Sequence, residues 1–307
     1  MHNDSAINRV TRRSFLVGLT GAAAVKLAGP AFGIEPFKRP VKGIMKLSLA
    51  AYSMKRYLGA KPGTKGAMDM GGFIDYCAKL RLDGTELTSY WFPKSVTPEY
   101  LAGLKRRAHL AGLDISGGAI ANNFTLPPGK ALDAQHAHVR KWIDHYADLG
   151  APVIRVFAGR SAKGVDEATA LKYCISNLQK ACAYAGKRGV ILGIENHDYL
   201  TDIGRIMKVV RGVKSPWFGV TFDSGNFYSA DPYADLARIA PYAVNAQIKV
   251  RMHPAGKPAE EADFKRIIKI LRDANYCGYI TLEYEAREDP YKNVPKYIDK
   301  LRACIAG

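Results

Sequence analysis

The sequence predicts an α/β protein built as a single (β/α)8 TIM barrel preceded by a signal peptide. Eight apolar runs rich in β-branched residues alternate with eight amphipathic segments, and this alternation favours parallel strands joined by helical crossovers. Residues 34–307 are long enough for one barrel, which typically takes about 250 residues. The competing fold, an open doubly wound sheet, would usually carry a Gly-rich phosphate loop after an early strand, and none is visible.

Residues 1–33 are predicted to be a twin-arginine signal peptide, so the barrel domain is residues 34–307. The segment Thr11-Arg-Arg-Ser-Phe-Leu16 carries the two arginines, and an apolar stretch from Leu16 to Ala28 follows. This stretch is too short for a transmembrane helix, which needs about 20 residues. We therefore expect a protein exported to the periplasm by the twin-arginine route, without a stable membrane anchor.

The strands and helices of the barrel follow from hydrophobic periodicity and from helix-end signals. Thr97 and Pro98 mark a helix start, and Gly112 and Gly189 mark two helix ends. The predicted strands are 46–53, 84–91, 113–120, 152–159, 190–197, 218–224, 244–251 and 278–285. The predicted helices lie near 69–81, 97–111, 133–149, 166–188, 202–212, 233–241, 261–275 and 290–305.

The chain is strongly basic, with a formal net charge of +17. Without residues 1–33, which hold four basic residues and one acidic residue, the charge is still +14. Basic charge attracts nucleic acids and acidic ligands, but no run of five or more basic residues occurs. We therefore expect a generally basic surface and no nucleic-acid partner. Five cysteines without a CxxC pair argue against a disulfide framework.

Oxygen-bearing side chains stand at the ends of four successive predicted strands. They are Glu195, Asp223, Gln247 and Glu283. The carboxyl ends of parallel barrel strands meet at one face, where barrel enzymes hold their catalytic groups. Carboxylate and amide oxygens are ligands that hard divalent metals prefer. The four strand ends therefore predict one shared metal site.

These strand ends resemble the xylose-isomerase-like family of sugar isomerases and epimerases, which are TIM barrels. The resemblance covers roughly residues 44–305. Its most specific stretches are Gly193-Ile-Glu-Asn-His197, Phe222-Asp-Ser-Gly-Asn226, Gln247-Ile-Lys249 and Ile280-Thr-Leu-Glu-Tyr284, and Asp83-Gly-Thr-Glu86 is similar to the family's Gly-x-Glu motif. Within the family the chain is most similar to the exported type called sugar phosphate isomerase/epimerase. Dimers are common in the family, so the resemblance allows a homodimer.

The resemblance implies a divalent-metal-dependent isomerase or epimerase that acts on a keto- or aldo-sugar through a metal-stabilised enediolate. It makes all four strand-end residues metal ligands. Glu195 and Glu283 would also be the catalytic pair, since one glutamate removes a proton and the other returns one. The family often has His where this chain has Gln247. A site of oxygen ligands favours Mn²⁺ or Mg²⁺ over Zn²⁺.

Five further residues are predicted to contact the sugar. They are Glu86, Arg155, His197, Asn226 and Lys249. Three have a structural alternative: Glu86 could form a buried ion pair with Arg155, His197 could hold a ligand by a hydrogen bond, and Lys249 could belong to a structural ion pair. Asn226 stands where several relatives carry a His near the metal, which argues against a second metal.

Other functions stay open on this fold. A metal-dependent lyase acting on a keto-sugar, an inosose or a 3-dehydroshikimate-like substrate would begin with the same proton abstraction, and the Gln ligand is compatible with it. A non-catalytic sugar-binding barrel need not keep four ligands. A DNA-repair endonuclease of this fold would need histidines at positions 226 and 247. Tyr52, Trp91 and Phe92 suit a sugar-stacking wall or simple loop packing.

Overall fold

The computed structural model describes residues 33–41, 43–61 and 63–307, so most of the predicted signal peptide lies outside the described residues. The strands are β1 (Met45–Ala50), β2 (Gly84–Thr88), β3 (Asp114–Ala119), β4 (Val153–Val156), β5 (Ile191–Glu195), β6 (Phe218–Asp223), β7 (Ala243–Lys249), β8 (Arg251–Met252), β9 (Glu260–Glu261) and β10 (Gly278–Glu283). The α-helices are α1 (Lys55–Leu58), α2 (Met70–Lys79), α3 (Pro98–Leu110), α4 (Lys130–Leu149), α5 (Glu167–Lys187), α6 (Ile203–Gly212), α7 (Pro232–Ile239), α8 (Phe264–Asp273) and α9 (Pro290–Ala306).

Eight parallel strands close into one barrel in the order β1-β10-β7-β6-β5-β4-β3-β2, which confirms the predicted fold. The predicted strand 244–251 is wrong at its end, because β7 stops at Lys249 and β8 pairs antiparallel with β9 in a separate two-stranded sheet. Arg251, the last residue of the predicted strand, is therefore exposed in this small sheet.

The helices of the outer layer begin and end where the sequence signals predict. The Thr97 side chain accepts a hydrogen bond from the backbone N–H of Tyr100, with Pro98 in the first turn of α3. Gly112 and Gly189 follow α3 and α5 with φ of 71° and 70°, a left-handed conformation that glycine adopts without strain. Within the described ranges, every helix is too short or too polar to cross a membrane.

The hydrophobic core lies between the barrel and the helices. Side chains on the outer face of the strands, such as Ile154, Val156, Leu192 and Ile194, are fully buried there. Because side chains alternate along a strand, the neighbouring residues Arg155, Gly193 and Glu195 point into the barrel. Polar groups therefore fill the barrel interior, and those near the carboxyl ends of the strands form the candidate site.

Two segments outside the barrel are fixed to it by hydrogen bonds. Residues 33–41 pass the amino ends of the strands, where Ile34 N donates to Val210 O at 3.2 Å and Arg39 donates to Ala243 O at 2.6 Å. The Gly-rich loop after α1 is tied to the start of α9, because Tyr291 donates to Gly66 O at 3.0 Å. All five cysteines are free thiols.

Candidate active site

The four predicted ligands converge at the carboxyl end of the barrel. Glu195, Asp223 and Glu283 are the last residues of β5, β6 and β10. Gln247 lies within β7, where its register partners are Asp223 on one side and Thr281 on the other. The stagger between strands of a barrel therefore brings residues from four strands to one level.

Three carboxylates crowd together at this point. Glu195, Asp223 and Glu283 each offer an oxygen, and these oxygens all lie within 4.8 Å of one another. The side chains are almost completely buried, with residue exposures of 1%, 0% and 3%. Burying several like charges at this distance is costly unless cations neutralise them, so the cluster needs positive charge.

Gln247 is oriented by Glu86, which lies one layer deeper in the barrel. The Gln247 amide donates to Glu86 Oε1 at 2.6 Å, and Asn245 donates to Glu86 Oε2 at 2.7 Å. Because the amide nitrogen is committed to Glu86, the Gln247 oxygen is left free, and it is buried with no hydrogen-bond donor among the described residues. Burial raises the pKa of Glu86 to about 7.

Asp223 is held by the backbone around the ends of β5 and β6. The Asn196 side chain accepts from Asp223 N and donates to Asp223 O, both at 2.9 Å. Asp223 Oδ1 accepts from Gly225 N at 2.8 Å, whereas Oδ2 is buried and receives no hydrogen bond from the part of the chain described. One carboxylate oxygen fixes the side chain, and the other faces the cluster.

Glu195 has a cation and an amide as partners. Arg155 from β4 donates to Glu195 Oε2 at 3.1 Å, and Asn226 donates to Oε1 at 3.2 Å. Arg155 also donates to the hydroxyl of Tyr90 at 2.8 Å. The buried ion pair of Arg155 is thus with Glu195 and not with Glu86, the partner considered from the sequence. Tyr90 had no predicted role, although the neighbouring residues Trp91 and Phe92 were predicted to be part of an aromatic wall.

Lys249, at the end of β7, supplies the second buried cation. Its ammonium lies 2.6 Å from Glu283 Oε2 and 3.5 Å from Asp223 Oδ2. The contact with Glu283 is an ion pair without the alignment of a hydrogen bond. Lys249 also donates to Glu285, which Lys55 contacts at 3.4 Å from the surface side. Glu285 is a contact that sequence reasoning missed, although it shares the inward face of Glu283.

The pKa values of the cluster reflect burial and mutual repulsion. Burial raises the pKa of Asp223 well above its usual value, because Lys249 offsets only part of the lost solvation. Burial also raises the pKa of Glu195, against the opposing effect of Arg155. Burial opposes the charge of Lys249, yet the carboxylates of Asp223 and Glu283 hold its pKa well above the ordinary value. An added cation would favour the ionised carboxylates.

The donor set fits a divalent metal with oxygen ligands. The Gln247 oxygen is buried without a hydrogen-bond donor among the described residues, and the buried Glu283 Oε2 and Asp223 Oδ2 have the Lys249 ammonium as their partner, at 2.6 and 3.5 Å. Unsatisfied buried oxygens are rare in proteins, and an ion is one of the ordinary explanations. The Glu195, Asp223 and Glu283 oxygens lie within 4.8 Å of one another, and Gln247 is the register partner of Asp223 on the neighbouring strand, so all four residues lie at this end of the barrel. Their role as ligands stays a prediction.

Two cavities open beside the cluster. The first, of about 580 Å³, is lined by Lys249, Glu285, Arg251, His253 and Arg287 among others, and we call it the Lys249 cavity. The second, of about 590 Å³, is lined by Arg160, Ser161, His197, Asp198, Tyr199, Thr201 and Arg205, and we call it the Arg160 cavity. Asn226 and Tyr228, on the loop after β6, line both cavities.

The five predicted substrate contacts divide into two groups. Lys249, Asn226 and His197 line these cavities, where a ligand can reach them. Glu86 and Arg155 are buried beneath the cluster, with exposures of 0% and 5%. Their hydrogen bonds go to protein groups, so the structure gives them partners other than the predicted sugar hydroxyls.

The predicted aromatic wall is only partly formed. The rings of Tyr52 and Trp91 lie 5.7 Å apart, and Tyr90 completes this group at 5.7 Å from Trp91. Phe92 was wrongly included, because its ring packs against Trp142 at 5.3 Å in the buried layer under the helices. A backbone turn at the end of the short 3-10 helix Ser89–Trp91 separates Phe92 from its neighbours.

Comparison with known proteins agrees with this architecture. Residues 74–304 match the profile of the xylose isomerase-like TIM barrel family. The chain belongs to this family. No curated protein matches the chain.

Solved structures with the same fold include sugar epimerases. The chain is 18% identical to a D-psicose 3-epimerase crystallised in the presence of D-fructose, with a TM-score of 0.67 over 85% of this chain and 97% of that one. It is 15% identical to D-psicose 3-epimerase with D-tagatose from Clostridium cellulolyticum H10, with a TM-score of 0.67 over 85% and 97%. It is 14% identical to the 3-keto-D-glucoside 4-epimerase of E. coli, with a TM-score of 0.65 over 85% and 100%. At these identities the similarity establishes the fold alone.

Proposed function

We propose that this protein is a divalent-metal-dependent isomerase or epimerase of a keto- or aldo-sugar. The observation that carries the proposal is the group of three buried carboxylates within 4.8 Å of one another at the carboxyl end of a xylose isomerase-like barrel. The epimerases of the same fold support it. Mn²⁺ or Mg²⁺ suits the oxygen donors better than Zn²⁺.

The glutamates at the two sides of the cluster are the proposed acid–base pair. Glu195 ends β5 and Glu283 ends β10, and β6 and β7 separate these strands in the barrel. A sugar ring above the cluster would therefore have one carboxylate on each side of it. One removes the proton next to the carbonyl, and the other returns a proton to the opposite face, which inverts the carbon.

The remaining residues orient this pair. Arg155 and Asn226 each hold one oxygen of Glu195, which fixes the plane of its carboxylate. Glu86 fixes the amide nitrogen of Gln247, which leaves the buried amide oxygen available to a ligand. A divalent metal held by Glu195, Asp223, Gln247 and Glu283 would supply positive charge that polarises the carbonyl and stabilises the negative charge that develops.

A lyase is the second candidate, and the position of Lys249 favours it. Its ammonium contacts Glu283 and lines the Lys249 cavity, so a proton donor stands next to a proposed base. After proton abstraction, a neighbouring cationic acid could protonate a leaving oxygen and complete a β-elimination. In an epimerase, the same ammonium would stabilise the substrate oxygen.

Solvent deuterium exchange tests the proposal. The protein, supplied with Mg²⁺ in D₂O, is incubated with keto-sugars, cyclitol ketones and 3-keto-glycosides, and NMR follows the hydrogens next to the carbonyl. We expect deuterium incorporation, and a loss of about 10³-fold or more in Glu195→Gln and Glu283→Gln. An epimeric product identifies an epimerase, and an alkene identifies a lyase. Exchange that survives in both variants would contradict the assigned pair.

We also propose that the protein works in the periplasm. The support is the twin-arginine segment at Thr11–Leu16, which precedes the described residues. Fusing residues 1–33 to a reporter and locating it in cell fractions would test this proposal. A homodimer stays a prediction of the family resemblance.

A further inference from the structure

We infer that the site accepts a substrate of two sugar units, with the reacting ring in the Lys249 cavity and an uncharged second unit in the Arg160 cavity. This inference rests on the proposed function and extends it to the size and charge of the substrate. Its starting point is the loop after β6, where Asn226 and Tyr228 line both cavities.

The two cavities meet at Asn226, a residue that lines both of them. The Asn226 side chain donates a hydrogen bond to Glu195 of the carboxylate cluster at 3.2 Å. Lys249 enters the first cavity and contacts Glu283, whereas His197 enters the second cavity two residues after Glu195. A ligand held above the carboxylates can therefore extend past Asn226 into either cavity.

The available space exceeds what one sugar ring needs. Each cavity, of about 580 and 590 Å³, falls by itself within the size range of about 300–1,000 Å³ that holds a drug-sized ligand. A single hexose in the Lys249 cavity would leave the Arg160 cavity filled with water. A second unit would use that space without moving the reacting carbons away from Glu195 and Glu283.

The charges lining the Arg160 cavity are already paired, which favours a neutral ligand. Arg160 lies 3.3 Å from Asp198, and Arg205 lies 3.1 Å from Glu167. A phosphate site would be expected to present cations or backbone N–H groups to the ligand without such carboxylate partners. A mixture of paired cations and carboxylates instead offers both donors and acceptors, as sugar hydroxyls require.

Aromatic surfaces accompany both cavities. Tyr228 is 53% exposed, and its ring lies 5.9 Å from His253 in the Lys249 cavity. His197 stacks on Phe157 at 4.5 Å, and Tyr199 lies under the Arg205 guanidinium at 4.9 Å, both beside the Arg160 cavity. Exposed aromatic side chains are typical of binding surfaces, since they give contact area at little entropic cost.

A left-handed turn forms part of the wall of the Arg160 cavity. Asp198 has a φ of 46°, in the left-handed region that Asp adopts more readily than most residues other than glycine. The turn directs the Asp198 carboxylate to Arg160 and His197, at 3.3 and 3.2 Å, so Asp198 organises this cavity.

Ligand-observed NMR on the wild-type protein with Mg²⁺ tests the inference by comparing the affinities of one-ring and two-ring sugars. The probes are methyl 3-keto-glucoside, which has one ring, and the 3-keto derivatives of cellobiose, maltose and trehalose, which have two. We expect at least one two-ring probe to bind about tenfold more tightly than the one-ring probe, as one or two added hydrogen bonds would give. Equal or weaker binding of every two-ring probe would overturn the inference.

Matched variants locate the second unit. Arg160→Ala and Tyr199→Ala should each reduce or abolish the advantage of the two-ring probe and leave the one-ring affinity unchanged. Arg188→Ala, which removes an exposed ion-pairing arginine from the outer helix layer, is the control and should change neither affinity. An advantage that persists in both cavity variants would show that the second unit binds elsewhere and contradict the assignment.

Failure of the inference is distinguishable from failure of the proposed function. Deuterium exchange on one-ring sugars without any two-ring advantage would leave the function standing and remove the inference. Tighter two-ring binding that depends on Arg160, without exchange on any probe, would support the subsite and contradict the enzyme assignment.

Discussion

The two ends of the barrel use polar side chains in opposite ways. At the amino end, Ser48 and Ser116 hydrogen-bond to each other at 2.7 Å, and Asp83 accepts from Leu47 N at 2.7 Å. Asp114 there has Lys46 at 2.9 Å and also Tyr279 as partners. Each of these groups is satisfied by the protein itself.

At the carboxyl end, comparable groups are held but left incomplete. The buried Gln247 oxygen has no hydrogen-bond donor among the described residues, and the buried carboxylates of Asp223 and Glu283 share one cation, Lys249. An unpaired buried polar atom costs free energy that a stability role would not explain. The comparison teaches that the amino end contributes to stability, whereas the carboxyl end is organised for a ligand.

Removing one lysine from each end should give the largest contrast. Lys249→Met leaves the buried carboxylates of Asp223 and Glu283 without their cation, so the free energy of unfolding of the metal-free protein should fall by about 3 kcal/mol. Saturating Mn²⁺ should restore most of it, because the metal supplies the missing charge. Lys46→Met breaks a half-exposed pair and should cost less than about 1 kcal/mol, with or without Mn²⁺.

Urea unfolding with and without Mn²⁺ measures both effects. An equal loss of unfolding free energy in the two variants would contradict the contrast between the two ends of the barrel. So would a loss in Lys249→Met that Mn²⁺ does not restore.

The hydrogen bonds from Gln247 and Asn245 to Glu86, which we call the Glu86 clamp, should affect metal affinity, whereas hydrogen bonds at the amino end should affect only stability. The two carboxylate oxygens of Glu86 accept hydrogen bonds from Gln247 and Asn245, and Glu86→Gln replaces one of these oxygens with an NH₂ group. The Kd for Mn²⁺ should therefore rise by about 10–100-fold. Ser116→Ala removes a hydrogen bond at the amino end and should cost about 1 kcal/mol of unfolding free energy without changing that Kd. Titration of Mn²⁺ followed by electron paramagnetic resonance gives both Kd values, and equal values in the two variants would remove the proposed role of Glu86.

The smallest expected effect lies outside the barrel, in α4. Burial lowers the pKa of His136, His138 and His145 below the ordinary value. Since the unfolded chain binds protons at these groups more readily than the folded protein does, stability should fall as the pH decreases through about 6.5. The triple substitution to Gln should flatten the pH dependence between pH 7.5 and 5, and His109→Gln, at an exposed site, should not.

Thermal unfolding across this pH range measures the effect. An unchanged slope in the triple variant would contradict the role of the three histidines, and the carboxylate cluster could not replace them, because carboxyl groups with raised pKa values stabilise the folded protein as the pH falls.

The sequence was sufficient to predict the barrel fold and to place the candidate site at the carboxyl ends of the strands. Hydrophobic alternation is a local signal, and it identified Glu195, Asp223, Gln247 and Glu283 as residues of one face. The clamp between Gln247 and Glu86 was not predictable, because it joins residues 161 positions apart and depends on the stagger of the closed barrel.

Two other features needed three-dimensional information. The Lys249 ammonium reaches across to Glu283 on the neighbouring strand, and strand parity does not specify which acid a long side chain contacts. Phe92 follows two site-facing aromatic residues in the sequence, yet a turn of the backbone directs it into the outer core. Local sequence patterns predict which face of a strand a side chain lies on, whereas the contacts between side chains of different strands depend on the assembled barrel.

The central claim is that the incomplete oxygens at the carboxyl end hold one divalent metal. A crystal of the protein soaked in Mn²⁺, with anomalous difference density measured at the manganese edge, tests it most directly. We predict a single strong peak at about 2.0–2.3 Å from oxygens of Glu195, Asp223, Gln247 and Glu283, with the Lys249 ammonium displaced toward Glu285. No peak at the cluster, with Lys249 still in contact with Glu283 and Asp223, would contradict the account.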